Sequence, residues 1–124
     1  MADPISRRDL DFLLYEWLDV EQFTKAQRYA DHSKDTFDAV LDLAQDIAIK
    51  KYAPFNKLLD QDEPYVGDDG KVVLPDATAE GVREFLAAGL IAGPFGEDLD
   101  GGSLPATVHQ AAMTWFQAAN PAMS

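Results

Sequence analysis

Pro105-Ala106-Thr107-Val108-His109-Gln110-Ala111-Ala112-Met113-Thr114-Trp115-Phe116-Gln117-Ala118-Ala119-Asn120-Pro121 decides the fold. Val108, Ala111, Ala112, Trp115, Phe116 and Ala119 recur at three- and four-residue steps, which places them on one helical face. The helix begins near Pro105 and ends at Pro121, since proline has no amide hydrogen to continue the ladder. Trp115 and Phe116 are expected in the core, because aromatic rings supply the most buried area. Met113 widens the apolar arc beyond one core face, so an exposed apolar patch is expected over residues 108 to 123, with self-association as its consequence.

The same period recurs upstream. Phe37, Val40, Leu41, Ala44, Ile47 and Ala48 form the stripe of a helix spanning about 35 to 52. Asp35 can cap it, and Lys50 and Lys51 suit the negative end of its dipole. Pro54 should kink or interrupt it, with Leu58 and Leu59 continuing the spacing beyond. Nearer the start, Leu10, Leu13, Leu14, Trp17 and Leu18 read as one stripe after a Ser6/Asp9 capping pair. Residues 22 to 34 read as a polar connection. Asp68-Asp69-Gly70 is turn chemistry, and Lys71-Val72-Val73-Leu74 reads as a short extended piece. A further helix over 78 to 88 turns Val82, Phe85 and Leu86 inward and stops at Gly89. A glycine- and acid-rich loop fills 93 to 102. The fold class is therefore all-α, one domain over 1–124 with four to five helices and a short extended segment near 71–74.

Ten Lys and Arg against 22 Asp and Glu give a formal charge of -12, which leaves no cation cluster for nucleic acid or an anionic membrane. The chain has no Cys, so disulfides, thiolate metal sites and a cysteine nucleophile are excluded. Met1-Ala2-Asp3-Pro4 lacks the basic and apolar regions of a secretion signal, and no apolar run approaches the roughly 18 residues of a membrane span. A cytoplasmic location is expected.

Each familiar catalytic pattern fails on a named residue. Gly101-Gly102-Ser103-Leu104-Pro105 opens like a nucleophile elbow, but Pro105 stands where the second glycine belongs. Asp98-Leu99-Asp100-Gly101 resembles part of a calcium loop, yet Gly96 and Thr107 occupy required ligand positions. The glycines from Gly89 to Gly102 match neither a dinucleotide fingerprint nor a P-loop. His32 and His109 stand apart from each other and from any acid pair at metal spacing, and read as packing or surface residues. No catalytic, cofactor-binding or metal residue is assigned.

Four stretches resemble the acyl-CoA dehydrogenase family, in particular the longer bacterial branch that includes 3-methylmercaptopropionyl-CoA dehydrogenase. Asp3-Pro4-Ile5-Ser6 through Tyr15-Glu16-Trp17-Leu18 is similar to that branch's opening. Tyr52-Ala53-Pro54-Phe55-Asn56 looks like its Ala-Pro-Leu-Asn element, with Phe55 replacing the usual Leu, and Asp69-Gly70-Lys71-Val72 looks like the turn that follows. Gly101-Gly102-Ser103-Leu104-Pro105 and the helix ending Ala119-Asn120 resemble the family's Gly-Gly loop and alanine-rich helix, although many members carry a further glycine.

The resemblance implies the N-terminal helical domain of a three-domain, FAD-dependent oxidoreductase of fatty acid metabolism. In that family FAD lies mainly between the other two domains, and a glutamate beyond this stretch removes the α-proton of the acyl-CoA. The expectations for the parent are an acyl-CoA substrate, an electron-transfer acceptor and a homo-oligomer. The chain itself, without the β domain and the C-terminal helical domain, is expected to be inactive and to hold no FAD. Only Met123 and Ser124 fall at the expected edge of the acyl pocket. The abrupt ending after Pro121 favours a fragment; the alternative is a free-standing acidic helical interaction module.

Overall fold

The computed structural model describes residues 3–124; the opening Met1-Ala2, read above for a leader, lies outside them. Helix α1 (Arg7–Asp11) runs straight into a π-helical segment, Phe12–Trp17. Helix α2 (Lys34–Ile47) similarly runs into a π-helical segment, Ala48–Tyr52, and then a 3-10 turn, Ala53–Phe55. Then follow α3 (Asn56–Gln61), the strands β1 (Tyr65–Val66) and β2 (Val72–Val73), α4 (Asp76–Ala87) and α5 (Ala106–Ala119). The class is all-α, with five α-helices and one two-residue-wide hairpin among the described residues.

The final helix is the centre of the core. Val108, Ala112 and Trp115 are fully buried, and Phe116 nearly so. Helix α2 packs on it through Phe37, Leu41 and Ala44, the Ala48–Tyr52 segment that continues α2 packs on it too, and Phe85 of α4 meets Phe116. Most of the apolar arc is thus consumed inside the domain, with Met113 left half-buried. The patch expected over residues 108 to 123 is not centred there.

The N-terminal stripe is also corrected. Leu10 and Leu14 are buried, but Leu13 and Leu18 are 41% exposed and Trp17 70%. A π turn rotates each residue by less than the 100° of an α-helix, so an α-spaced stripe drifts off the core once Phe12–Trp17 widens. Ser6 does cap α1, accepting from the Asp9 amide at 3.2 Å.

Ser33, two residues before the expected Asp35, caps α2. It is extended, its hydroxyl faces the Thr36 amide, and Thr36 Oγ1 accepts from the Ser33 amide at 2.9 Å, which completes a capping box. The interruption expected at Pro54 takes the form of the 3-10 turn Ala53–Phe55, where Phe55 leaves the helical region at φ -105° and ψ 3° before α3 restarts at Asn56. The extended piece near 71–74 is the second strand of a hairpin, pairing Val73 with Tyr65 and Val72 with Val66. Gly70, at φ 78°, closes its turn.

Helix α4 turns a different face inward from the one expected. Gly81 is its buried residue, Phe85 is half-buried, and Val82 and Leu86 are 37% and 49% exposed. A glycine lets the helix backbone approach Tyr52 and Met123 closely, which rotates the flanking side chains toward the rim. Gly89 stops the helix at φ 74°, as expected.

Candidate functional site

The close approach at Gly81 leaves an open apolar cleft of about 210 Å³ beside α5. Its rim is Val82, Leu86 and Ile91, and its floor is Phe85, Met113 and Phe116. Tyr52, Met123 and Ser124 close the remaining side. The Phe116 ring meets Tyr52 edge-on at 4.8 Å and Phe85 at 5.2 Å, so the floor is a rigid aromatic cluster. Met123 is buried and lies where a β-carbon on Gly81 would stand. The two residues singled out from the sequence, Met123 and Ser124, therefore both border this cleft.

Tyr52, Gly81, Val82, Leu86 and Ile91 were not singled out from the sequence as bordering a pocket. Tyr52 continues the buried stripe four residues beyond Ala48, which marks it as core and nothing more. The cleft joins positions near 52, 81–91 and 113–124, and no local pattern connects them.

Burial pushes the Tyr52 phenol above its ordinary pKa, so it stays neutral. No cation lines the cleft. Among the described residues its only hydroxyls are those of Tyr52 and Ser124, and this donor set does not fit the diphosphate of FAD or coenzyme A, which calls for cations or converging backbone amides. An apolar chain or ring fits it.

Beneath the cleft, Asn120 is fully buried and donates from Nδ2 to the Tyr52 carbonyl at 3.1 Å. Its Oδ1 is the one fully buried side-chain polar atom without a partner among the described residues. This contact holds the end of α5 against the π segment that carries Tyr52.

A second polar constellation lies at the opposite end of the core. Arg7 reaches Asp42 at 2.6 Å, Asp11 at 2.9 Å and Asp38 at 3.5 Å, with its guanidinium 5.7 Å above the Trp115 ring. Tyr15 donates its hydroxyl to Asp38 at 2.6 Å, and Lys34 donates to the other Asp38 oxygen at 2.8 Å. Burial and the Asp38 hydrogen bond push the Tyr15 phenol far up. Burial raises the Asp38 carboxyl, but the bonds from Lys34 and Tyr15 outweigh it and hold the group below its ordinary range. Every member is committed to an ion pair or hydrogen bond, and the adjoining hollow of about 560 Å³ is wide and of mixed charge. It is a clasp between α1 and α2.

Both histidines are structural. His32 donates from Nε2 to the Gly102 carbonyl at 2.8 Å and stacks on Phe37 at 5.6 Å. His109 donates to the Leu90 carbonyl at 3.0 Å. They fasten the two ends of the glycine-rich loop, in which a β-carbon on Gly101 would run into the Phe95 carbonyl. No group of three or more His, Asp or Glu side chains stands at metal-binding geometry among the described residues. No helix among them is long and apolar enough to cross a membrane.

The chain is 31% identical over 120 residues to a butyryl-CoA dehydrogenase of Syntrophomonas wolfei, an alignment covering 94% of this chain and 19% of that protein. It thus spans about a fifth of that relative's length. No family model matches the chain, and no solved structure does.

Proposed function

We propose that this chain is the N-terminal helical domain of a flavin-dependent acyl-CoA dehydrogenase, and that its cleft is part of the wall of the acyl pocket. The observation that supports this is the 31% identity to a butyryl-CoA dehydrogenase, which runs through nearly the whole fold. The apolar cleft at Met123 and Ser124 agrees with it. In this reading the whole enzyme oxidises the Cα–Cβ bond of an acyl-CoA thioester to the enoyl-CoA. FAD and the proton-abstracting base belong to parts of that enzyme outside these residues. The present residues contribute an apolar, water-excluding surface and subunit packing.

A homo-oligomeric assembly, an electron-transfer acceptor, a cytoplasmic location and placement in the longer bacterial branch belong to the same reading. The test is the native protein, purified from its complete reading frame. Bound flavin that is bleached by an acyl-CoA is expected. A native product that carries no flavin overturns the reading.

A further inference from the structure

Tyr52 is 2% exposed and borders the cleft, yet its hydroxyl makes no hydrogen bond among the described residues. It is not among the fully occluded polar atoms, a condition met only by Asn120 Oδ1. The hydroxyl therefore keeps contact with open space, and the cleft is the open space that Tyr52 borders. Three contacts hold the ring in place. Phe116 packs on its face, the Gly81 backbone lies behind it, and its own carbonyl is held by Asn120. The result is a hydroxyl without a partner among the described residues, set in a largely apolar wall, while the Ser124 hydroxyl is already bonded to the Pro121 carbonyl.

We propose that the Tyr52 hydroxyl makes this cleft a site for an acyl tail carrying one neutral hydrogen-bond acceptor, such as a ketone or ether oxygen. Resting on the acyl-wall reading above, the site prefers such a tail to a plain hydrocarbon and to one ending in a carboxylate. An unpaired donor in an apolar surface is satisfied by an acceptor and left bare by a hydrocarbon, which is how buried polar groups discriminate between similar ligands. A carboxylate is disfavoured because the cleft holds no cation and the chain carries -12. The volume of about 210 Å³ exceeds the roughly 150 Å³ of a cavity that takes benzene, so a tail of medium length enters.

The experiment uses the 124-residue chain with 2-heptanone, toluene and heptanoate as probes, followed by methyl NMR shifts of Met113, Met123, Val82 and Ile91. The ketone should bind more tightly than heptanoate. Tyr52→Phe, which keeps the ring, should weaken the ketone about fivefold and leave toluene unchanged. The infrared carbonyl stretch of the bound ketone should move to lower wavenumber in the unaltered chain, a readout independent of how the variant folds. Binding of heptanoate equal to the ketone, an unchanged carbonyl stretch, equal effects of Tyr52→Phe on ketone and toluene, or no binding of any probe would each overturn the proposal. A native protein without flavin would sink the dehydrogenase reading and leave these outcomes intact.

Discussion

Met123 Cε and a β-carbon on Gly81 compete for the same space, and in this fold the methionine has it. Because the colliding atom is the tip of a flexible side chain, Gly81→Ala forces Met123 to swing rather than α4 to move. Alanine gains up to about 1 kcal/mol in helix propensity, which offsets the rotamer change and the remaining 3.2 Å contact with Tyr52 Cε1. Gly81→Ala should therefore shift stability by less than about 1 kcal/mol, yet move the Met123 methyl resonance. An unmoved resonance, or a loss of about 3 kcal/mol, would contradict this packing.

Trp115 is fully buried and donates from Nε1 to Asp3 at 3.1 Å. Trp115→Ala should cost roughly 3–5 kcal/mol in a denaturant titration, the range for emptying a large aromatic site. Trp115→Phe, which keeps a ring but loses the donor, should cost clearly less. Equal losses would mean that the hydrogen bond, not the packing, dominates.

Asn120→Asp should be more damaging at pH 7 than Asn120→Ala. The introduced carboxyl would face the Tyr52 carbonyl in a fully buried site with no donor for it. Its folded pKa would be raised above the ordinary value of about 4, so stability should decline as pH rises from that value to the folded one and level off above it. Chemical denaturation at pH 5 and pH 8 measures the difference. Insensitivity to pH would show that the site has opened to water.

Asp38 gives the opposite sign. Its folded carboxyl lies below the ordinary value of about 4, held there by Lys34 and Tyr15. Its contribution to stability is fully present above that ordinary value and is lost as pH falls through the lower folded one. Asp38→Asn should flatten the acid limb of a stability–pH profile below about pH 4. A limb of unchanged slope would indicate that the ion pairs at this partly exposed site contribute little, as many surface pairs do.

FAD titrated calorimetrically into the chain should bind more weakly than about 10 μM, because the cleft offers a phenol and a serine hydroxyl where a diphosphate needs cations. Tighter binding would place a flavin-contacting surface within these residues.

The final helix is readable from its residues alone because its apolar stripe and its buried residues, Val108, Ala111, Ala112, Trp115, Phe116 and Ala119, coincide. The N-terminal stripe was misread at Leu13, Trp17 and Leu18, since nothing in the side-chain order announces a π turn. Val82 and Leu86 were misread because the packing face of α4 is set by what a glycine lacks. Met123 and Ser124 come from a family resemblance to an acyl-pocket edge; the structure places them beside an apolar cleft. Nothing in the sequence marks Tyr52 as bordering a cleft, since its neighbours there, Val82 to Ser124, lie 30 to 72 positions away.

The hydrogen bond from Trp115 to Asp3 joins positions 112 residues apart. A ribosome adding about 5–20 residues per second releases Asp3 on the order of 10 s before Trp115. During that interval Phe37, Leu41 and Ala44 have emerged without the helix that covers them. The Asp3 carboxylate therefore waits for α5 before it gains this partner, and the face of α2 that α5 covers stays bare until then.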